Sequence, residues 1–152
     1  RPKRTVRVIA WMDEEADGVG SSQYKKDYSR VLEQHVAAIE SDAGAAHPLG
    51  FVTKISKNAN DELAPVKTVL SSIGATVFQD AAVPAGITDI SPLSGEGVPV
   101  LGIMQDGRHY FDYHHTAADT LDKVIPSELR ENAAVMAVMA YALANMKNRL
   151  PH

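Results

Sequence analysis

The stretch TVRVIAWMDEEADGVGSS, Thr5 to Ser22, sets the reading of the whole chain. Thr5 to Trp11 is β-branched and mostly apolar, the pattern of a strand buried on both faces rather than a one-sided surface strand. Three acids follow at once, Asp13, Glu14 and Glu15, and then Gly18 and Gly20 break the strand. Ser21 or Ser22 is placed to cap a helix running to Tyr28. In open α/β sheets, ligands bind beyond the carboxyl ends of the strands, so acids at such an end are candidates for a site.

The same order of apolar run, acid and glycine recurs. Val36 to Ile39 reads as a strand leading into ESDAG, with Asp42 before Gly44. Phe51 to Ile55 and Ala75 to Phe78 are further short strands. Between them Asp61 to Ile73 has helical spacing, with Gly74 as its stop. The loop-rich stretch PAGITDISPLSGEGVP follows, in which Thr88 is expected to cap a short helix carrying Asp89 in its first turn. Val98 to Met104 is another buried strand, and Gln105 to Val124 is a long polar loop holding His109, His114 and His115. Ser127 to Asn148 closes the chain as a helix with Ala133, Met136, Ala140, Leu143 and Ala144 as its apolar stripe. Strands alternating with helices imply an α/β fold, a mostly parallel mixed sheet with helices on both faces.

Bulk properties bound the function. A chain of 152 residues is one domain's worth, with 45% hydrophobic and 22% charged residues. A net charge of −4 argues against nucleic acid or an anionic membrane as partner. The absence of cysteine excludes thiol catalysis, cysteine-type zinc sites and disulfides. No apolar run is long enough for a transmembrane helix. The chain starts without Met, almost inside a strand, and a preceding segment is expected to have been removed.

Each motif alone has an ordinary explanation: a solvated turn for DEE, a turn aspartate for ESDAG, a surface loop with a capped helix start for YHHTAADT. Their joint placement at strand ends changes the balance. Clustered like charges cost free energy unless a cation sits among them, and carboxylates with an imidazole and no sulfur suit zinc, or otherwise cobalt, manganese or iron. Adjacent glutamates also allow one to ligate while the other handles the proton of a water, the layout of a metal-dependent hydrolase.

Four segments in order, RPKRTVRVIAWMDEEADGVGSSQY, IESDAG, TDISPLSGEGVP and YFDYHHTAADTLDKV, resemble the co-catalytic di-zinc aminopeptidase family, and most of all its plasma glutamate carboxypeptidase-like dipeptidase branch. The resemblance covers the whole chain and implies residues 1–152 as the C-terminal part of a single zinc-peptidase catalytic domain, three-layered and exopeptidase-like. It implies Glu14 as general base, Glu15 and His115 as ligands of one zinc, and Asp42 as ligand of the other. It implies a substrate-pocket role for Asp89. His114 is then a neighbour. Asp119 either steadies the loop or a histidine tautomer, or caps a helix, the commoner use of such a residue. His35, His47, His109 and His152 are read as ordinary polar positions.

In that family the first metal-binding histidine and the bridging aspartate precede the Glu-Glu pair, and residues 1–13 supply neither. The chain by itself is therefore expected to bind zinc weakly, to have little activity and to self-associate through an exposed sheet edge. The resemblance also implies a peptide or dipeptide substrate and an exported protein, periplasmic or secreted. Two other readings share the architecture: a non-catalytic receptor or scaffold domain, and a single-zinc acyl transferase of the glutaminyl cyclase kind.

Overall fold

The computed structural model describes residues 1–81 and 87–151. Its centre is a pair of strands whose sequences are apolar in both alternating registers, β2 (Pro48–Lys54) and β4 (Val100–Gln105), hydrogen-bonded antiparallel. β1 (Ala38–Glu40) adds in parallel to β4, and β3 (Val77–Asp80) adds in parallel to β2. The order is β1-β4-β2-β3, a mixed sheet in which parallel pairings outnumber the antiparallel one.

Because successive strand residues face opposite sides, the sheet divides the core in two. On one face Phe51, Leu101 and Ile103 pack with Leu63, Val66 and Leu70 from α2 (Lys57–Glu62), α3 (Ala64–Ser71) and their junction, and with Val135, Met139 and Leu143 of α6 (Pro126–Asn145). On the other face Val52 and Val100 meet Leu32, Ile87, Ile90 and Leu93, which come with α4 (Ser91–Ser94) and the segment after α1 (Val19–Asp27). Each fully buried aliphatic side chain contributes roughly 1.5–3 kcal/mol, so both layers are needed to hold the thin sheet. Helices thus cover both faces, as the sequence implies. Among the described residues no helix is long and apolar enough to cross a membrane.

Several expectations are corrected. Thr5 to Trp11 is not a strand: no described strand pairs with it, Val8 is 92% exposed, and only Trp11 is partly buried, packed edge-on to Tyr24. β-branched composition favours extended backbone, but a strand exists only where a neighbour takes its hydrogen bonds. α1 starts before the expected serine caps, with Gly18 in the left-handed region at its N-cap (φ 60°), and Ser21 lies in its first turn, donating to the Gly18 carbonyl. The helix expected over Asp61–Ile73 is two helices, interrupted at Leu63 because Pro65 starts a new one.

Thr88 does not cap α4, whose N-cap is Ile90, and Asp89 lies ahead of the helix. The polar stretch 105–124 contains α5 (Tyr110–Tyr113) between short 3-10 turns. On α6 the buried stripe is Asn132, Val135, Met139, Leu143 and Ala144, and Ala133 is exposed. Asn132 is polar within this stripe, and its Nδ2 donates to the carbonyls of Ala45 and Ala46. The PAG at the head of the 84–99 stretch and His152 lie outside the described residues.

Candidate metal centre

The acids after Trp11 stand where they do because the backbone reverses there. Asp13 adopts φ 65°, its carbonyl accepts the Gly18 N–H at 2.8 Å, and the intervening turn carries Glu14 and Glu15. α1 then leaves so close to the incoming chain that a Cβ on Gly20 would lie 2.6 Å from the Met12 carbonyl oxygen. The glycines are what let the turn close, so the acids and the glycines form one device.

Across the site His115, also left-handed at φ 57°, points Nε2 at Glu15 Oε2, 2.8 Å away. A non-glycine residue in this region is strained, and strain of this sort collects at functional positions. His115 is held by a ladder of rings: Tyr110 stacks on His114 (centroids 4.4 Å apart) and His114 on His115 (3.8 Å).

Asp42 follows β1 and joins the same neighbourhood. Its charge and those of Glu15, Asp89 and Glu40 all act on Glu14. The Glu14 carboxyl is pushed above its ordinary value first by partial burial and then by these four negative neighbours. The Tyr110 hydroxyl is likewise pushed up by burial and then by Asp42, Glu15, Asp119 and Glu14. Lys25, Arg108 and Lys123 neutralise Glu96, Asp106 and Asp122, away from this cluster.

Asp89 is buried, and burial raises its pKa against the opposing pull of the nearby Ser21 hydroxyl, with Asp42 adding to the rise. Asp119 is exposed and caps no helix: the next helical turn begins after Thr120, with no side-chain cap. His35 bonds Tyr24, His47 pairs with Glu131 and His109 with Asp112, all apart from the acids.

Two further residues of the neighbourhood, Glu40 and Gln105, are given no role by the sequence motifs. Glu40, the last residue of β1, is buried, and its carboxylate accepts the N–H groups of Thr88, Asp89 and Ile90, each at 3.1 Å. Burial raises its pKa against the pull of those three bonds. Gln105, at the end of β4, is buried too, and its Nε2 donates to Ser41 Oγ (3.4 Å) and the Gly44 carbonyl (3.0 Å). A polar residue closing an apolar strand next to a glycine turn was the available signal.

The donor chemistry fits a divalent cation: carboxylates that crowd Glu14 with negative charge, and an imidazole beside Glu15. Among the described residues no three histidine, aspartate or glutamate side chains converge at ligand distance, and the direct contact is Glu15 with His115.

A family model described as peptidase family M28 matches residues 1–140. The chain belongs to peptidase family M28. Carboxypeptidase Q of Rattus norvegicus is 36% identical over 152 residues, covering 99% of this chain and 31% of that protein. Carboxypeptidase Q of Homo sapiens is 34% identical over 151 residues, again with 31% of its length covered. The crystal structure of a peptidase M28 precursor from Shewanella amazonensis SB2B superposes on the entire chain with a TM-score of 0.90 at 38% identity, and 34% of that chain is covered. This M28 chain therefore spans about a third of the length of the relatives it matches.

Proposed function

We propose that this chain is the C-terminal part of the catalytic domain of a zinc-dependent exopeptidase, an aminopeptidase or dipeptidase acting on peptides or dipeptides, and that the protein is exported. The observation that carries the reading is the Glu15–His115 contact beside the acid-crowded Glu14. M28 membership and the carboxypeptidase Q relatives support a hydrolase acting on peptide bonds.

Glu15 and His115 would hold one zinc and Asp42 the other, and bound zinc supplies a Lewis acid for the carbonyl and a water of lowered pKa. Glu14 is left to move the proton. It takes one from the attacking water and returns it to the leaving amine, and the negative neighbours that raise its proton affinity suit it to that work. Asp89, buried and within reach of the Asp42 charge, would help to shape the substrate pocket.

Dipeptide hydrolysis and zinc content of the intact protein test this together. Glu14→Gln abolishes release of free amino acids while zinc is retained, whereas Glu15→Ala loses both. Near-normal turnover by Glu14→Gln overturns the assignment. Zinc without amino-acid release in the unaltered protein favours a cyclase or a scaffold instead.

A further inference from the structure

We propose that Tyr110 is a positioning residue for His115, a flat rung that sets where that imidazole stands relative to Asp42. The inference deepens the reading of Glu15 and His115 as holding one zinc and Asp42 the other, and it rests on that reading. His115 is largely exposed, with a left-handed backbone that persists only where its surroundings hold it. Thr116 fixes that backbone: its N–H and its hydroxyl both donate to the Tyr113 carbonyl, at 3.0 and 2.7 Å. What orients the ring, besides Glu15, is the stack beneath it.

The stack is built on one helical turn. The His114 N–H donates to the Tyr110 carbonyl at 3.0 Å, so the two side chains, four residues apart, lie on one side of the turn. Their rings are 4.4 Å apart at 24°, and those of His114 and His115 are 3.8 Å apart at 27°. Near-parallel rings this close restrict one another's rotation, so a change at Tyr110 is passed through His114 to His115. The base of the stack meets the other half of the site. Cδ2 and Cε2 of the half-buried Tyr110 ring lie 3.6 and 3.7 Å from where a Cβ on Gly44 would stand, two residues after Asp42. Gly44 is itself tied, since its carbonyl accepts Gln105 Nε2, which also reaches Ser41 Oγ on the other side of Asp42. Asn132 holds the carbonyls of Ala45 and Ala46 beyond it. Tyr110 therefore stands between the loop that carries Asp42 and the imidazoles of His114 and His115. The ordinary use of such an aromatic, filling the core, does not apply, because Tyr110 belongs to neither apolar layer of the sheet.

The test is zinc affinity by chelator competition in the intact protein, with Tyr110→Phe, Tyr110→Leu, Phe111→Leu and His115→Ala beside the unaltered protein. Tyr110→Leu is expected to weaken the His115 site about 10-fold, the low end of what losing a ligand-orienting group costs, and Tyr110→Phe to keep the unaltered affinity. Phe111→Leu should also keep it, because that ring is exposed and meets His114 edge-on rather than face to face. If urea unfolding shows that metal-free Tyr110→Leu does not fold, His114→Leu breaks the stack one rung further on, with the same loss expected and none in His114→Phe. A loss in Tyr110→Phe as large as in Tyr110→Leu overturns the proposal, because the hydroxyl is then the cause. An equal loss in Phe111→Leu overturns it too, because any disturbance of α5 then suffices. Unaltered affinity in the leucine variant of Tyr110 or His114, with loss in His115→Ala, overturns the role of the stack and leaves His115 a ligand. Full zinc affinity in His115→Ala overturns the underlying reading of His115 and the proposal with it.

Discussion

Glu15 Oε2 and His115 Nε2 lie 2.8 Å apart, one on the turn after Trp11 and the other at the end of the ring ladder that begins at Tyr110. Both side chains are largely exposed, at 72% and 60%, and an ion pair in that setting contributes at most about 1 kcal/mol. His115→Ala is therefore expected to leave the urea midpoint of the metal-free protein almost unchanged while lowering zinc content in the intact enzyme. A large stability loss with zinc retained would mark the pair as structural.

Asp42 raises the proton affinity of Glu14, Glu40, Asp89 and Tyr110 together. Repulsion of this kind is the cost of a site built for a cation. In metal-free protein at neutral pH, Asp42→Asn should stabilise the fold, by up to about 1 kcal/mol given its exposure. Denaturant titration with and without zinc checks this; a destabilised metal-free variant would contradict it.

The pH dependence follows from the same groups. Glu14, Glu40 and Asp89 have folded-state values above their ordinary 4.5, 4.5 and 3.8, so the native state keeps protons that the unfolded chain has released. The stability they contribute is full below those ordinary values and is lost as pH rises through the higher folded ones. Asp106 and Asp122, held down to about 2 by Arg108 and Lys123, act oppositely, and their contribution fades as pH falls from 3.8 towards 2. Metal-free protein should thus have a higher urea midpoint near pH 4.5 than at neutrality, and Asp42→Asn should flatten the difference. A midpoint that rises towards neutral pH contradicts the account.

Glu40 is a different case because it is buried. Glu40→Ala strands the N–H groups of Thr88, Asp89 and Ile90, and each buried group left unpaired costs roughly 1–3 kcal/mol. A loss of at least about 2 kcal/mol is expected by urea unfolding, far above that for Thr88→Val. Equal effects of the two changes would show that the turn is held by something other than Glu40.

What the sequence reveals here follows the range of the forces involved. The strands at β2 and β4 and the long C-terminal helix are legible because short apolar runs and helical spacing are local. The acids and His115 are proposed from four separated motifs that match a family in order, and the structure brings Glu15 and His115 into contact. Thr5–Trp11 is misread because pairing is a property of the neighbour, and Val8 has none here. Glu40 and Gln105 are missed because their partners lie far along the chain, at residues 88–90 and 41–44. The burial of Asn132 on α6 is missed because its two carbonyl partners, Ala45 and Ala46, lie far along the chain.

The most direct test of the metal centre is diffraction from zinc-bound crystals of the intact protein at the zinc absorption edge. Two anomalous peaks are expected, one bound by Glu15 and His115 and one by Asp42, at roughly 2.0–2.2 Å from their oxygen and nitrogen atoms. Zinc found away from these side chains, or Glu14 among the ligands in place of Glu15, contradicts the account.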